Sequence, residues 1–163
     1  MNIRFRHLML PIVLLATLHA AKAQNEKPLV KKELSLRLAI KAAQAAIDAC
    51  AAKKLAIHVY VMDADANIRL LLISDGAHYE TLEGARRKGY TAAMTGEPTI
   101  ELMKRRSDPA SLPKDSNMVF LGGAVPIKIG SEVIGVLSAG GGAPEQDAEC
   151  AQAGVDIIQP YLK

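Results

Sequence analysis

Five groups of residues carry the chemistry this chain can do. Arg86-Arg87-Lys88 is followed by Tyr90 and Thr91. On a helix Arg87, Tyr90 and Thr91 share one face at spacings of three and four, a basic and aromatic surface suited to a carboxylate ligand. The same face can instead be solvated, with its cations paired to Glu80 and Glu83. His58 and His78 are the histidines outside the first 23 residues, too few for a multi-histidine metal site within one chain. His58 reads as a packed or half-exposed strand residue, and His78 as a helix cap or a metal or haem ligand. Asp63 and Glu145 are candidate general bases, each requiring a pocketed, perturbed carboxylate. The run Gly140-Gly141-Gly142 sits between an apolar stretch and an acidic helix start. Glycines before a helix cradle phosphates through free N–H groups and the helix dipole, yet Glu145 and Asp147 complement that dipole and repel an anion. The run therefore reads as a turn, or as a place of close backbone approach. No H-E-x-x-H, G-x-S-x-G, G-x-G-x-x-G or G-x-x-x-x-G-K-[ST] occurs.

Cys50 and Cys150 complete the inventory, 100 positions apart and outside any C-x-x-C arrangement. That spacing speaks against a zinc or dithiol redox site. It leaves a disulfide in an oxidising compartment, or two small buried residues that never meet. The compartment follows from the N-terminus. Arg4, Arg6 and His7 precede an apolar stretch over 8–18, which is followed by Ala21-Lys22-Ala23. This is the order of a cleaved secretory signal, and the stretch is shorter than the roughly 20 residues a spanning helix needs. The expectation is cleavage after Ala23 and a periplasmic or secreted protein. With Arg4, Arg6 and Lys22 gone, the formal charge falls from +3 to zero, so no basic field argues for nucleic acid.

The elements that must position these residues follow from periodicity. Residues 24–33 are polar and form a flexible lead-in to a single domain over 34–163. Leu36, Ile40, Ala43, Ile47 and Cys50 recur at helical spacing behind the cap residue Ser35, and the helix should end near Lys53-Lys54. From Ala56 the period becomes two, with Ile57, Val59 and Val61 facing opposite to His58, Tyr60 and Met62. A second strand over 68–74 closes a hairpin, a helix spans 79–94 to Gly96, and a short helix follows Pro98. Residues 107–117 read as a loop. Residues 118–121 and 125–129 are short strands, Gly130-Ser131 is a tight hairpin turn, and the strand 133–139 leads to the glycines and a helix over 144–158. The result is an α+β domain whose five strands form a mostly antiparallel sheet with helices covering its faces.

The order and spacing of several motifs resemble the GlcG/HbpS family of haem-binding or haem-degrading domains. These are Leu34-Ser35-Leu36, Val61-Met62-Asp63-Ala64, Asp75-Gly76-Ala77, Arg87-Lys88-Gly89-Tyr90-Thr91-Ala92, Gly122-Gly123-Ala124-Val125-Pro126-Ile127 and Glu145-Gln146-Asp147. The resemblance spans essentially all of the chain after residue 23. It implies a three-layer α-β-α, profilin-like domain and assembly into homo-oligomers, often octamers. It implies haem or a related tetrapyrrole as ligand, held near a subunit interface by His78, Arg87, Lys88, Tyr90 and Thr91. His78, Tyr90 or Thr91 would ligate the iron, and Arg87 or Lys88 would meet propionates. In such a fold the first and last helices share one face of the sheet, which would let Cys50 and Cys150 meet. This chain departs from the family pattern at Ala66-Asn67, at Ile73-Ser74 where an arginine often stands, and at Ala139-Gly140 where Ser-Gly is expected. Two other readings accompany this one. The first is an enzyme acting on a carboxylated metabolite, with Asp63 or Glu145 as base and Arg87 as clamp. The second is a non-catalytic accessory subunit.

Overall fold

Helix α1 (Leu36–Ala51) begins where Ser35, in extended conformation, accepts a hydrogen bond from Leu38 N at 3.3 Å. The cap satisfies one of the N–H groups a helix start leaves open. The computed structural model describes residues 30–163, so the signal expected over residues 1–23 lies outside the described residues, as does most of the lead-in. Residues Lys32–Lys163 form one compact unit. The helix ends at Ala51, earlier than its charge pattern suggests, and Lys54 turns the chain at φ 58°.

Strand β1 (His58–Met62) pairs antiparallel with β2 (Ile68–Ile73), Tyr60 lying opposite Leu71 and His58 opposite Ile73. A 3-10 turn (Tyr79–Thr81) leads into α2 (Leu82–Thr95), which Gly96 ends in the left-handed region at φ 67°. After the short α3 (Thr99–Lys104) come β3 (Ala124–Ile129), β4 (Glu132–Gly140) and α4 (Pro144–Ile158). The sheet order is β2-β1-β4-β3, with every neighbouring pair antiparallel.

Among the described residues the sheet has four strands, not the five expected. The segment 118–121 is apolar but forms no strand, and at its start two backbone groups are taken by side chains of α2. Val119 N donates to Thr91 Oγ1 at 2.9 Å, and Met118 O accepts from Arg87.

The layers are α1 and α4 on one face and α2 on the other. Ile57, Val59, Val61, Ile127, Leu137 and Ala139 form the first core with Ala39, Ala42, Ala43 and Ala46 of α1 and Ala151 and Val155 of α4. The alanines and Gly154 let the two helices approach closely, and a Cβ on Gly154 would stand 2.5 Å from Ala42 O. Cys50 and Cys150, both fully buried in that seam, form a disulfide with Cα atoms 5.5 Å apart. Tyr60 and Met62 pack with Ala85 of α2 on the opposite face. All five residues of β1 are thus buried, although alternation alone leaves His58 half exposed.

Candidate functional site

The basic face of α2 holds the chain's own loop. Arg87 donates to the carbonyl oxygens of Ser116, Asn117 and Met118 at 2.6, 3.0 and 3.3 Å. Tyr90 Oη donates to Asp115 Oδ2 at 2.8 Å. Thr91 Oγ1 donates to Arg87 O while accepting from Val119 N. The three residues do share a face, and that face is filled by the segment 115–119. The Asp115 carboxylate is held below its ordinary range by the Asn117 N–H and then by the Tyr90 hydroxyl. The Tyr90 phenol is raised in turn, first by its bond to Asp115.

Lys88 points the other way. It is buried, and its Nζ donates to Asp147 Oδ2 at 2.6 Å and to Ala139 O at 3.2 Å. Asp147 Oδ1 accepts from Gly142 N at 2.8 Å, so one carboxylate binds both the buried cation and the glycine loop. The glycines are needed for space. A Cβ on Gly141, whose φ is 152°, would lie 2.4 Å from Ala56 O, and one on Gly140 would lie 2.7 Å from Ala85 Cβ. The loop is a packed chain reversal whose anion is internal.

The two candidate bases are separated. Glu145 is exposed at the start of α4 and lines an open cleft of about 290 Å3 with Ile100, Val125 and Glu149. Asp63 is buried and shapes the β1–β2 turn: its Oδ1 accepts from Asp65 N and Asn67 N, each at 2.9 Å. Ala66 takes a φ of 64° within that turn. Asp63 also borders a cavity of about 180 Å3 with Glu33, Arg69 and Ile134. The cation that shares this lining is therefore Arg69 rather than Arg87.

His78 is exposed ahead of the 3-10 turn and makes no side-chain hydrogen bond among the described residues. His58 is buried, its Nδ1 3.1 Å from Thr81 Oγ1. An open groove of about 550 Å3 runs past Ile47, Lys54, Leu55 and Ala56 to Ile73, Ser74 and Asp75, three residues short of His78. Beside it the outward face of β2 leaves Ile68, Leu71 and Ile73 exposed. Tyr60 and Tyr79 line a smaller cavity of about 190 Å3 with Glu80, Leu82 and Glu83. Neither Tyr60 nor Lys54 stands out in the sequence as a site residue. The one signal for Tyr60 is its place on the strand face with His58. Among the described residues no group of three His, Cys, Asp or Glu side chains gathers as for a metal, and no helix is long and apolar enough to cross a membrane.

Comparison with known proteins agrees with this architecture. A curated relative from Citrobacter freundii, an uncharacterized 15.0 kDa protein in the dhaT-dhaS intergenic region, is 28% identical over 137 residues, 78% of this chain and 96% of its own. The crystal structure of HbpS matches with a TM-score of 0.76 at 29% identity, covering 83% of this chain and 97% of that one. A double mutant of Streptomyces reticuli HbpS matches with the same TM-score at 28% identity, covering 83% and 94%. The PduOC:heme complex shares the fold, with a TM-score of 0.71 at 23% identity over 78% of this chain and 96% of that one. The family model described as haem degrading protein HbpS-like matches residues 34–156, which takes in every helix and strand of the fold up to the last turn of α4, and the chain belongs to that family.

Proposed function

We propose that this protein is an exported, oligomeric small-molecule-binding protein whose ligand is haem or a related tetrapyrrole. The observation that carries the reading is His78, an exposed imidazole with no internal partner among the described residues, three positions along the chain from Asp75, which lines an open groove of about 550 Å3 with mixed polar and apolar walls. That volume is within the range of sites that enclose drug-sized ligands, roughly 300–1,000 Å3. Ile47, Leu55, Ala56 and Ile73 would offer the apolar part of the wall and Lys54 a cation for a propionate, with Gln44, Ser74 and Asp75 as the polar part, and His78, outside the lining, would be the nitrogen donor for iron. When bound, such an iron centre supplies redox and ligand-exchange chemistry. In this reading the group has other partners than the helix motif implied. Lys88 is sealed against Asp147, and Arg87, Tyr90 and Thr91 are engaged with the loop. Membership of the HbpS-like family and the likeness to a protein solved with haem support the ligand class. The exposed apolar face of β2 supports a subunit contact beside the groove, and the N-terminal sequence supports export.

Titration of the mature protein with haemin tests the reading. A saturable Soret shift at stoichiometric haemin that His78→Ala weakens and Tyr90→Phe leaves in place is the expected result. An unchanged Soret band overturns it.

A further inference from the structure

The cavity between β1 and the start of α2 holds a polar group that the fold leaves unused. Tyr60 keeps only 4% of its surface, and no hydrogen bond engages its hydroxyl among the described residues. No side-chain polar atom there is both sealed and unpartnered, so the hydroxyl is the part of Tyr60 that opens into the cavity it lines. Around it stand Tyr79, which is 81% exposed, Leu82, and the carboxylates of Glu80 and Glu83. Glu83 is already neutralised by Arg86, with bonds of 2.7 and 2.8 Å, which leaves the unbalanced negative charge on Glu80. Burial, then Glu83, raises the Tyr60 pKa, so the phenol stays a neutral donor and acceptor at physiological pH.

A donor–acceptor hydroxyl at the floor, an exposed aromatic ring and one surplus carboxylate select a ligand with a single positive charge and a hydroxyl of its own. The ring attracts the cation through its quadrupole, and the carboxylate accepts its N–H groups. At about 190 Å3 the cavity admits only a few heavy atoms. We propose that it is a binding site for a small amino alcohol, the ammonium held by Glu80 and the Tyr79 ring and the hydroxyl paired with Tyr60. The site uses neither His78 nor the groove, and it stands whether or not haemin binds.

The test is an NMR titration of the ¹⁵N-labelled mature protein with ethanolamine, and with ethanol and glycolate as the uncharged and anionic controls. Saturable shifts confined to residue 60 and residues 79–83, absent with both controls, are expected. Tyr60→Phe and Glu80→Gln should each weaken binding by roughly tenfold, while Glu101→Gln, an exposed acid on α3, should leave it unchanged. Non-saturating shifts, shifts spread over the acidic surface, or equal affinity in Tyr60→Phe, Glu80→Gln and wild type would each overturn the assignment. Haemin titrations of the same variants report on the groove independently.

Discussion

Lys88 Nζ lies 2.6 Å from Asp147 Oδ2 with both side chains almost wholly buried, so α2 and α4 are tied together beneath the end of β4. The remaining Asp147 oxygen holds Gly142 N, and Lys88 also reaches Ala139 O. Helix α2, the end of β4, the glycine loop and α4 therefore meet on one ion pair.

Removing one partner strands the other charge in a dry site. Asp147→Ala or Lys88→Met should lower unfolding free energy by about 3–5 kcal/mol. The double variant Lys88→Met with Asp147→Ala should cost clearly less than the sum, because no charge is left unpaired. Denaturant unfolding of the four proteins measures this, and strict additivity would show that the two groups act separately.

The glycines of the loop are not equivalent to a glycine in an ordinary turn. Gly130 has φ 60° and nothing within 4 Å of an added Cβ, so Gly130→Ala should cost about 1–2 kcal/mol for the left-handed backbone alone. Gly141→Ala adds a clash with Ala56 O at 2.4 Å and should cost more, about 2–4 kcal/mol. Thermal or denaturant midpoints of the two variants rank them, and equal costs would contradict the packed reversal described above.

The disulfide closes a separation of 100 residues between α1 and α4. In the chain-entropy account, removing such a link costs about 2–5 kcal/mol. The Cys50→Ser, Cys150→Ser protein should unfold at correspondingly lower denaturant, and reductant should shift the wild type but not the double variant.

The Tyr90–Asp115 bond gives the loop a pH window. The Asp115 carboxylate lies below its ordinary value of 3.8 in the folded protein, so its contribution is complete above that value and is lost as pH falls through the depressed one. The Tyr90 phenol lies above its ordinary 10.0, so its neutral form is favoured by folding and the bond is lost as pH rises through the raised value. Hydrogen-exchange protection over residues 115–119, corrected for intrinsic rates, should be flat at neutral pH and fall at both extremes. Tyr90→Phe should lower the plateau and abolish the alkaline limb.

Much of the fold is legible in the chain itself, because it is written in local signals. Ser35 before Leu36 places the first helix, the period-two stretch 57–62 places β1, Gly130-Ser131 places the last hairpin, and Gly96 ends α2. Helical spacing also puts Arg87, Tyr90 and Thr91 on one face, as the structure has them. Periodicity reports which groups share a surface, since it is a property of the helix alone. It does not report what covers that surface. Here the covering piece is 115–119, whose bonds to the helix span 25 to 31 positions and which has no pattern of its own. For the same reason 118–121 reads as a fifth strand: its apolar residues promise burial, while two backbone groups at its start are claimed by Arg87 and Thr91.

The sequence by itself determined the helices, the hairpins and the acidic start of α4, all of which depend on neighbours within a few positions. Tertiary structure alone decided that Lys88 is spent on Asp147, that the same carboxylate holds the glycine loop through Gly142 N, and that the Tyr60 hydroxyl, without a hydrogen bond among the described residues, opens into a cavity. Those outcomes depend on which distant groups compete for each donor and acceptor once water is excluded, and burial settles that competition only when the sheet and both helix layers are in place.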